Sequence, residues 1–133
     1  MKGTVELLQK YYRIIIFLFF GTYFMLGLCL VRDYGVPLDE WCSLKNGTVL
    51  LNYLFHGDTT LFSFFGKYYG LWFDTLLAVL APRFSAVDDL RTLYFARHGI
   101  IFCLFFISTI FFYKICRYQF HDWKISLLGT LFL

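Results

Sequence analysis

The sequence predicts an all-α membrane protein, because of its composition, two long uncharged stretches and an uneven distribution of basic residues. Hydrophobic residues make up 59% of the 133-residue chain and charged residues only 16%, a more apolar composition than soluble domains have. A chain this short cannot enclose a core that buries 18 Phe, 10 Tyr and 3 Trp, since small domains leave much of their surface in water. Lipid is therefore the expected second solvent.

The first uncharged stretch runs from Ile14 to Val31. With a rise of about 1.5 Å per residue, this helix is about 27 Å long, close to the thickness of the hydrocarbon core. A cleavable signal peptide is the competing interpretation. However, residues 28–30 lack the small-residue pattern that a cleavage site requires. We therefore predict a transmembrane helix over residues 14–31.

The second uncharged stretch, His98 to Tyr113, is flanked by Arg97 and Lys114, and we predict a transmembrane helix over residues 92–116. Residues 125–133 are apolar again but too few to cross a bilayer. They are expected to begin a third transmembrane helix that is cut short. The chain is accordingly predicted to be the N-terminal fragment of a polytopic helical bundle.

The Lys and Arg residues predict the orientation, because short cytoplasmic segments hold an excess of them. Six of them flank the predicted spans on one side, where only Glu6 and Asp122 oppose them. The segment 32–97 has six basic and seven acidic residues instead. We predict an integral protein of the cell (inner) membrane with a cytoplasmic N-terminus and an outward loop over residues 32–91.

The outward loop is predicted to contain interfacial, or juxtamembrane, helices near residues 39–55 and 71–81. The apolar piece 71–81 would be only about 16 Å long as a helix, too short to cross the bilayer. Asp74 interrupts it and is expected to face water, protein or Arg83. In the segment 39–55, large or apolar residues form one stripe at helical spacing and polar residues share the opposite side. The stripe comprises Trp41, Leu44, Thr48, Leu51 and Phe55, and the polar side comprises Asp39, Ser43 and Asn46.

Several classes of partner and cofactor are not expected. The net charge of +3 is small and its basic residues are scattered, whereas nucleic-acid binding needs clustered Lys and Arg. The four cysteines show no metal-ligand spacing, and no Asp-x-Asp pattern occurs. We predict no bound metal, no cofactor and no nucleic-acid partner, and the lipid bilayer is the expected partner.

The acidic pair Asp39-Glu40 follows Pro37, just beyond the outer end of the first predicted span. A carboxylate at that depth can meet a membrane-soluble substrate and still stay ionised, as a general base requires. The pair is equally suited to the first turn of a helix, where carboxylates complement the exposed N–H groups and the helix dipole. These residues alone leave both interpretations open.

The predicted features follow one another in a definite order: a span, the Asp39-Glu40 pair, two interfacial helices and a second span. Smaller motifs accompany them, namely Tyr34-Gly35, Gly57-Asp58, Tyr68-Tyr69-Gly70, Arg97-His98 and the tail 120–129. Over nearly the whole chain, this order resembles the start of the GT-C class of membrane glycosyltransferases. The likeness is greatest to the protein mannosyltransferase-like members, which are also called glycosyltransferase family 39-like.

This resemblance implies an inverting hexosyltransferase. Such an enzyme moves a sugar from a polyprenyl- or dolichyl-phosphate carrier to an unidentified acceptor hydroxyl at the outer membrane face. Asp39 would be the general base, and Glu40 would orient the loop or the acceptor. Arg97 would hold the donor phosphate, with His98 assisting. The fragment alone is not expected to be active.

Simpler interpretations stay open for these residues. Arg97 is also suited to snorkelling and His98 to a local hydrogen bond, while Tyr69 could stack on a sugar or belong to the interfacial aromatic belt. The segment 46–48 fits the glycosylation acceptor pattern, although inside a predicted helix. If the acidic pair only caps a helix, the alternative is a non-catalytic polytopic protein, such as a transporter or an assembly subunit.

Overall fold

The computed structural model describes residues 2–35, 37–84 and 89–133, so residues 36 and 85–88 of the predicted loop lie outside the described part. The described residues form helices and turns with no strand, which confirms the all-α prediction. The α-helices are α1 (Lys2–Val31), α2 (Glu40–His56), α3 (Thr60–Ser63), α4 (Leu71–Leu80), α5 (Leu90–Phe120) and α6 (Trp123–Leu131). Two 3-10 helices, Phe65–Tyr68 and Ala81–Phe84, precede and follow α4.

Two helices, Lys10–Val31 within α1 and Leu90–Phe120, are long and apolar enough to cross a membrane. In their most apolar windows only 6% and 17% of the residues are buried, whereas the core helix of a soluble protein is mostly buried. Both helices extend beyond the predicted spans 14–31 and 92–116. The predicted spans follow the apolar residues, whereas the helical hydrogen bonds of the backbone continue into the polar residues beyond them. The structure thus contains two helices with the length and composition of membrane spans.

The described residues fall into two compact units, one within Met1–Leu30 and Ile101–Leu133 and the other within Val31–Ile100. In the first unit, aromatic rings pack α1 against α5. The rings of Phe24 and Phe106 are 4.8 Å apart and those of Phe20 and Tyr113 are 5.6 Å apart. Gly27 lies directly against the Phe102 ring, where any Cβ atom would collide. The Phe102 ring therefore occupies the space that a side chain at residue 27 would need.

Asp122 caps the start of α6. Its carboxylate accepts hydrogen bonds from the backbone N–H groups of Lys124 at 2.7 Å and Ile125 at 3.1 Å. These two bonds hold the pKa of the Asp122 carboxyl below its usual range. The cap is consequently intact at neutral pH, and it is lost only as the pH falls through that lowered pKa.

The second unit is built on α2 packed against α4. The buried residues of α2 are Glu40, Asn46, Gly47 and Leu50, while the opposite side is open. Trp41 is 63% exposed and Phe55 is 76% exposed. The buried side of α2 thus combines polar and small residues with Leu50, while the large rings of Trp41 and Phe55 lie outside.

Gly47 sets the distance between α2 and α4. A Cβ atom on this residue would lie 2.7 Å from the carbonyl carbon of Asp74 and 2.9 Å from Cβ of Ala78. We expect Gly47→Ala to lower the free energy of unfolding by about 1–3 kcal/mol, because the backbone of α4 must move away. Thermal unfolding of the protein in lipid nanodiscs measures this change.

Gly99→Ala is the matched control, since Gly99 lies in a helix of the same unit and a Cβ atom added there would meet nothing within 4 Å. There the greater helix propensity of Ala should stabilise the protein by up to about 1 kcal/mol. Equal melting temperatures for the two variants would contradict the packing argument.

Candidate functional site

The two acids of the Asp39-Glu40 pair have different surroundings, because successive residues of a helix point about 100° apart. Asp39 is the N-cap residue of α2, yet its side chain makes no capping hydrogen bond, and it is exposed. Glu40 is only 8% exposed and lies within the protein. The two carboxylates therefore cannot serve the same purpose.

Glu40 is ion-paired with Arg97 of α5. The distance between Glu40 Oε1 and Arg97 Nε is 2.5 Å, and Arg97 is 0% exposed. Arg97 Nη2 also donates a hydrogen bond to Ser43 Oγ at 2.8 Å. His98 Nε2 lies 3.6 Å from the other carboxylate oxygen of Glu40, and its ring packs edge-on against Tyr34 at 5.9 Å.

The contacts continue from Ser43 to α4. Ser43 Oγ donates to Asp74 Oδ1, and Asn46 Nδ2 donates to Asp74 Oδ2 at 3.0 Å. The residues Glu40, Arg97, Ser43, Asp74 and Asn46 thus form one polar network that joins α2, α4 and α5. Asp74 faces protein, one of its expected surroundings, and the amide of Asn46 is engaged inside the unit.

A cavity of ≈ 640 Å³ opens beside this network. Asp39, Trp41 and Lys45 of α2 line it, together with Phe65 and Tyr69 from the segment before α4. Ser43, Asn46 and Asp74 bring the polar network to its wall. Carboxylate, ammonium and aromatic groups therefore surround one space that can hold a small polar molecule or a ring.

None of the three charged side chains at the cavity has a partner of opposite charge among the described residues. Within the described residues, neither Asp39 nor Lys45 forms an ion pair. The Lys45 ammonium lies 5.7 Å from the centre of the Phe64 ring, in a cation–π contact. Asp74 differs from both, since its two oxygens accept hydrogen bonds from Ser43 and Asn46.

The structure divides the predicted site residues into two groups. Asp39 and Tyr69 line the cavity, whereas Glu40, Arg97 and His98 cluster in and beside the polar network. Arg97 has no exposed surface on which a phosphate could lie, although its Nη1 has no hydrogen-bond partner among the described residues. Its predicted phosphate contact stays a prediction that this arrangement does not favour.

Sequence reasoning overlooked Lys45 and the joint role of Ser43, Asn46 and Asp74. One pattern could have revealed part of it, since Glu40, Ser43 and Gly47 recur at the three- and four-residue spacing of a single helix face. A polar and small-residue face opposite a stripe containing Trp and Phe indicates a helix that packs through its polar side.

Neither a metal-binding cluster among the described residues nor a related protein helps to assign a function to this site. Among the residues that the structure describes, no group of three or more His, Cys, Asp or Glu side chains could hold a metal ion. The chain matches no protein-family model, and no curated protein or solved structure is significantly similar to it.

Proposed function

We propose that the chain belongs to a membrane glycosyltransferase that moves a sugar from a polyprenyl- or dolichyl-phosphate carrier to an acceptor hydroxyl at the outer membrane face. One observation carries the proposal. The Asp39 carboxylate makes no capping bond and lies exposed in the wall of a cavity that also contains aromatic rings and a cation. A helix-capping role alone would engage this carboxylate with the backbone N–H groups of α2.

Asp39 acts as the general base in this proposal. The acceptor oxygen attacks the anomeric carbon, the bond from that carbon to the phosphate oxygen breaks, and the hydroxyl proton passes to Asp39. The carrier phosphate leaves from the opposite face, so the configuration inverts. Trp41 and Tyr69 supply exposed aromatic faces in the cavity wall, on which the apolar face of a sugar ring can rest.

Glu40 and Arg97 are positioning residues in the same proposal. Their ion pair fixes the first turn of α2 to α5 and so holds the neighbouring Asp39 at the cavity. His98 supports Glu40 from its second oxygen. A non-catalytic membrane protein is the second candidate function, because the buried pair accounts for Glu40 without any chemistry.

Sidedness provides the first test, because the transfer is proposed for the outer face. Cys42 lines the cavity and is exposed. With the other three cysteines replaced by Ala, we expect a membrane-impermeant maleimide to label Cys42 in right-side-out vesicles and not in sealed inside-out vesicles. Labelling from the cytosolic side alone would overturn the proposal.

Turnover provides the second test. The full-length protein in proteoliposomes is supplied with polyprenyl-phosphate hexoses and with acceptor from native membranes. We expect protein-dependent loss of one of these donors and the appearance of unglycosylated polyprenyl phosphate. If every hexose tested remained on its carrier in correctly oriented proteoliposomes, the non-catalytic candidate would be favoured.

A further inference from the structure

We infer that Lys45 binds the phosphate group of the sugar donor, so that the cavity holds a glycosyl phosphate between Lys45 and Asp39. This inference rests on the proposed function and adds the residue that recognises the donor. It assigns the phosphate to a cation that lines the same cavity as the base, whereas Arg97 is enclosed by protein.

Lys45 is available to an anion. Its side chain is exposed at the cavity, and its ammonium forms no ion pair with the described residues. The cation–π contact with Phe64 involves no hydrogen-bond acceptor, so the ammonium keeps N–H donors for other partners. A phosphate oxygen is the kind of acceptor that forms strong, charge-assisted bonds with such a group.

The other described cations of the Val31–Ile100 unit are less suited to this role. Lys67 Nζ donates to the backbone carbonyl of Phe62 at 2.5 Å, and Arg97 is committed to Glu40 and Ser43. Arg32, Arg83 and Arg91 do not line the cavity. Lys45 is therefore the only cation at the cavity within the described part of this unit.

Asp39 and Lys45 line the same cavity from two positions at the start of α2. Asp39 is the N-cap residue and Lys45 the sixth residue of α2, which corresponds to a backbone rise of about 9 Å along the helix axis. In the reaction, a base-to-acceptor hydrogen bond and a phosphate-to-cation hydrogen bond, each of about 2.8 Å, flank an attack distance of about 3 Å and the bonds of the leaving group. The reaction therefore needs the base and the phosphate-binding cation on opposite sides of the anomeric carbon.

Asp74 is the second carboxylate at the cavity, and hydrogen-bond donors engage both of its oxygens. Asp74 accepts hydrogen bonds from both Ser43 and Asn46, and Ser43 in turn accepts one from the Arg97 guanidinium. These donors partly offset the negative charge of Asp74. Asp39 is the one described carboxylate at the cavity without such partners.

Equilibrium binding tests the inference without requiring turnover. The full-length protein in phosphatidylcholine nanodiscs is titrated with polyprenyl phosphate in one arm and with a water-soluble hexose 1-phosphate in the other. We expect Lys45→Ala to weaken binding of polyprenyl phosphate about 10-fold or more and Lys45→Arg to retain most of it. Lys67→Ala is the control, because Lys67 belongs to the same unit but does not line the cavity, and it should bind as the wild type does.

The possible results distinguish failure of the phosphate site from failure of the lipid carrier or of the base assignment. Equal affinities for Lys45→Ala and Lys67→Ala, or no binding of either phosphate to the wild type, would overturn the inference. Dependence on Lys45 in the hexose 1-phosphate arm alone would keep the phosphate site and reject the lipid carrier. If Lys45→Ala weakened binding while Asp39→Asn left turnover intact, the phosphate site would stand and the base assignment would fail.

Discussion

Asp39→Asn is expected to reduce the rate of sugar transfer by about 10²–10⁴-fold, the usual contribution of a positioned general base. An amide has nearly the shape of the carboxylate but cannot take the proton from the acceptor hydroxyl. Because Asp39 makes no capping bond, the substitution removes no hydrogen bond of α2. Donor binding and the melting temperature should therefore stay near their wild-type values, and only turnover in proteoliposomes should fall.

Asp33→Asn is the matched control for this experiment. Asp33 is an exposed acid of the same loop that does not line the cavity, so the variant changes the charge of the unit by the same amount. We expect it to turn over at about the wild-type rate. If Asp39→Asn retained activity within about twofold of Asp33→Asn, Asp39 could not be the base.

Arg97→Met is expected to lower the free energy of unfolding by about 3–5 kcal/mol, because it leaves Glu40 as a buried carboxylate without its cation. It also removes the donor to Ser43 and so disturbs the bonds to Asp74. We expect a large drop in the melting temperature in nanodiscs and a low yield of folded protein. The effect is structural, and it should be present in the absence of any substrate.

A second substitution separates this mechanism from simple loss of packing. Glu40→Leu combined with Arg97→Met replaces the ion pair with apolar side chains, and it should recover much of the lost stability. Arg91→Met, at the exposed start of the same helix, should change stability by less than about 0.5 kcal/mol. A single Arg97→Met variant as stable as Arg91→Met would contradict a stabilising role for the buried pair.

The sequence predicts the helices well because their positions depend on local properties. Runs of apolar residues longer than about 15 leave the backbone no better arrangement in lipid than a helix. The predicted segments 39–55 and 71–81 agree with the α-helices Glu40–His56 and Leu71–Leu80 to within one residue at each end, since Pro37, Gly57 and Pro82 limit them. Helix ends beyond the apolar runs, such as Phe120 in α5, follow backbone hydrogen bonding and are harder to predict.

The site could be predicted only in part, because its contacts join distant positions. Glu40 and Arg97 are 57 residues apart and Ser43 and Asp74 are 31 apart, and nothing local specifies either pairing. The sequence singled out Asp39 and Glu40 together, but the structure separates them by burial. Lys45 was missed because its importance arises from the cavity around it, which forms only when the segment before α4 folds beside α2.

The polar contacts inside the second unit and the exposed rings of α2 have a consequence for how this unit responds to its surroundings. Its interior is joined by directed hydrogen bonds and an ion pair, and its exterior carries exposed Trp and Phe side chains. Bulk water would compete with the hydrogen bonds and the ion pair inside the unit. Contact between bulk water and the exposed Trp and Phe rings is also unfavourable. This unit should accordingly be at its most stable beside hydrocarbon, and detergents that admit water to α2 should loosen it before they unwind the two long apolar helices.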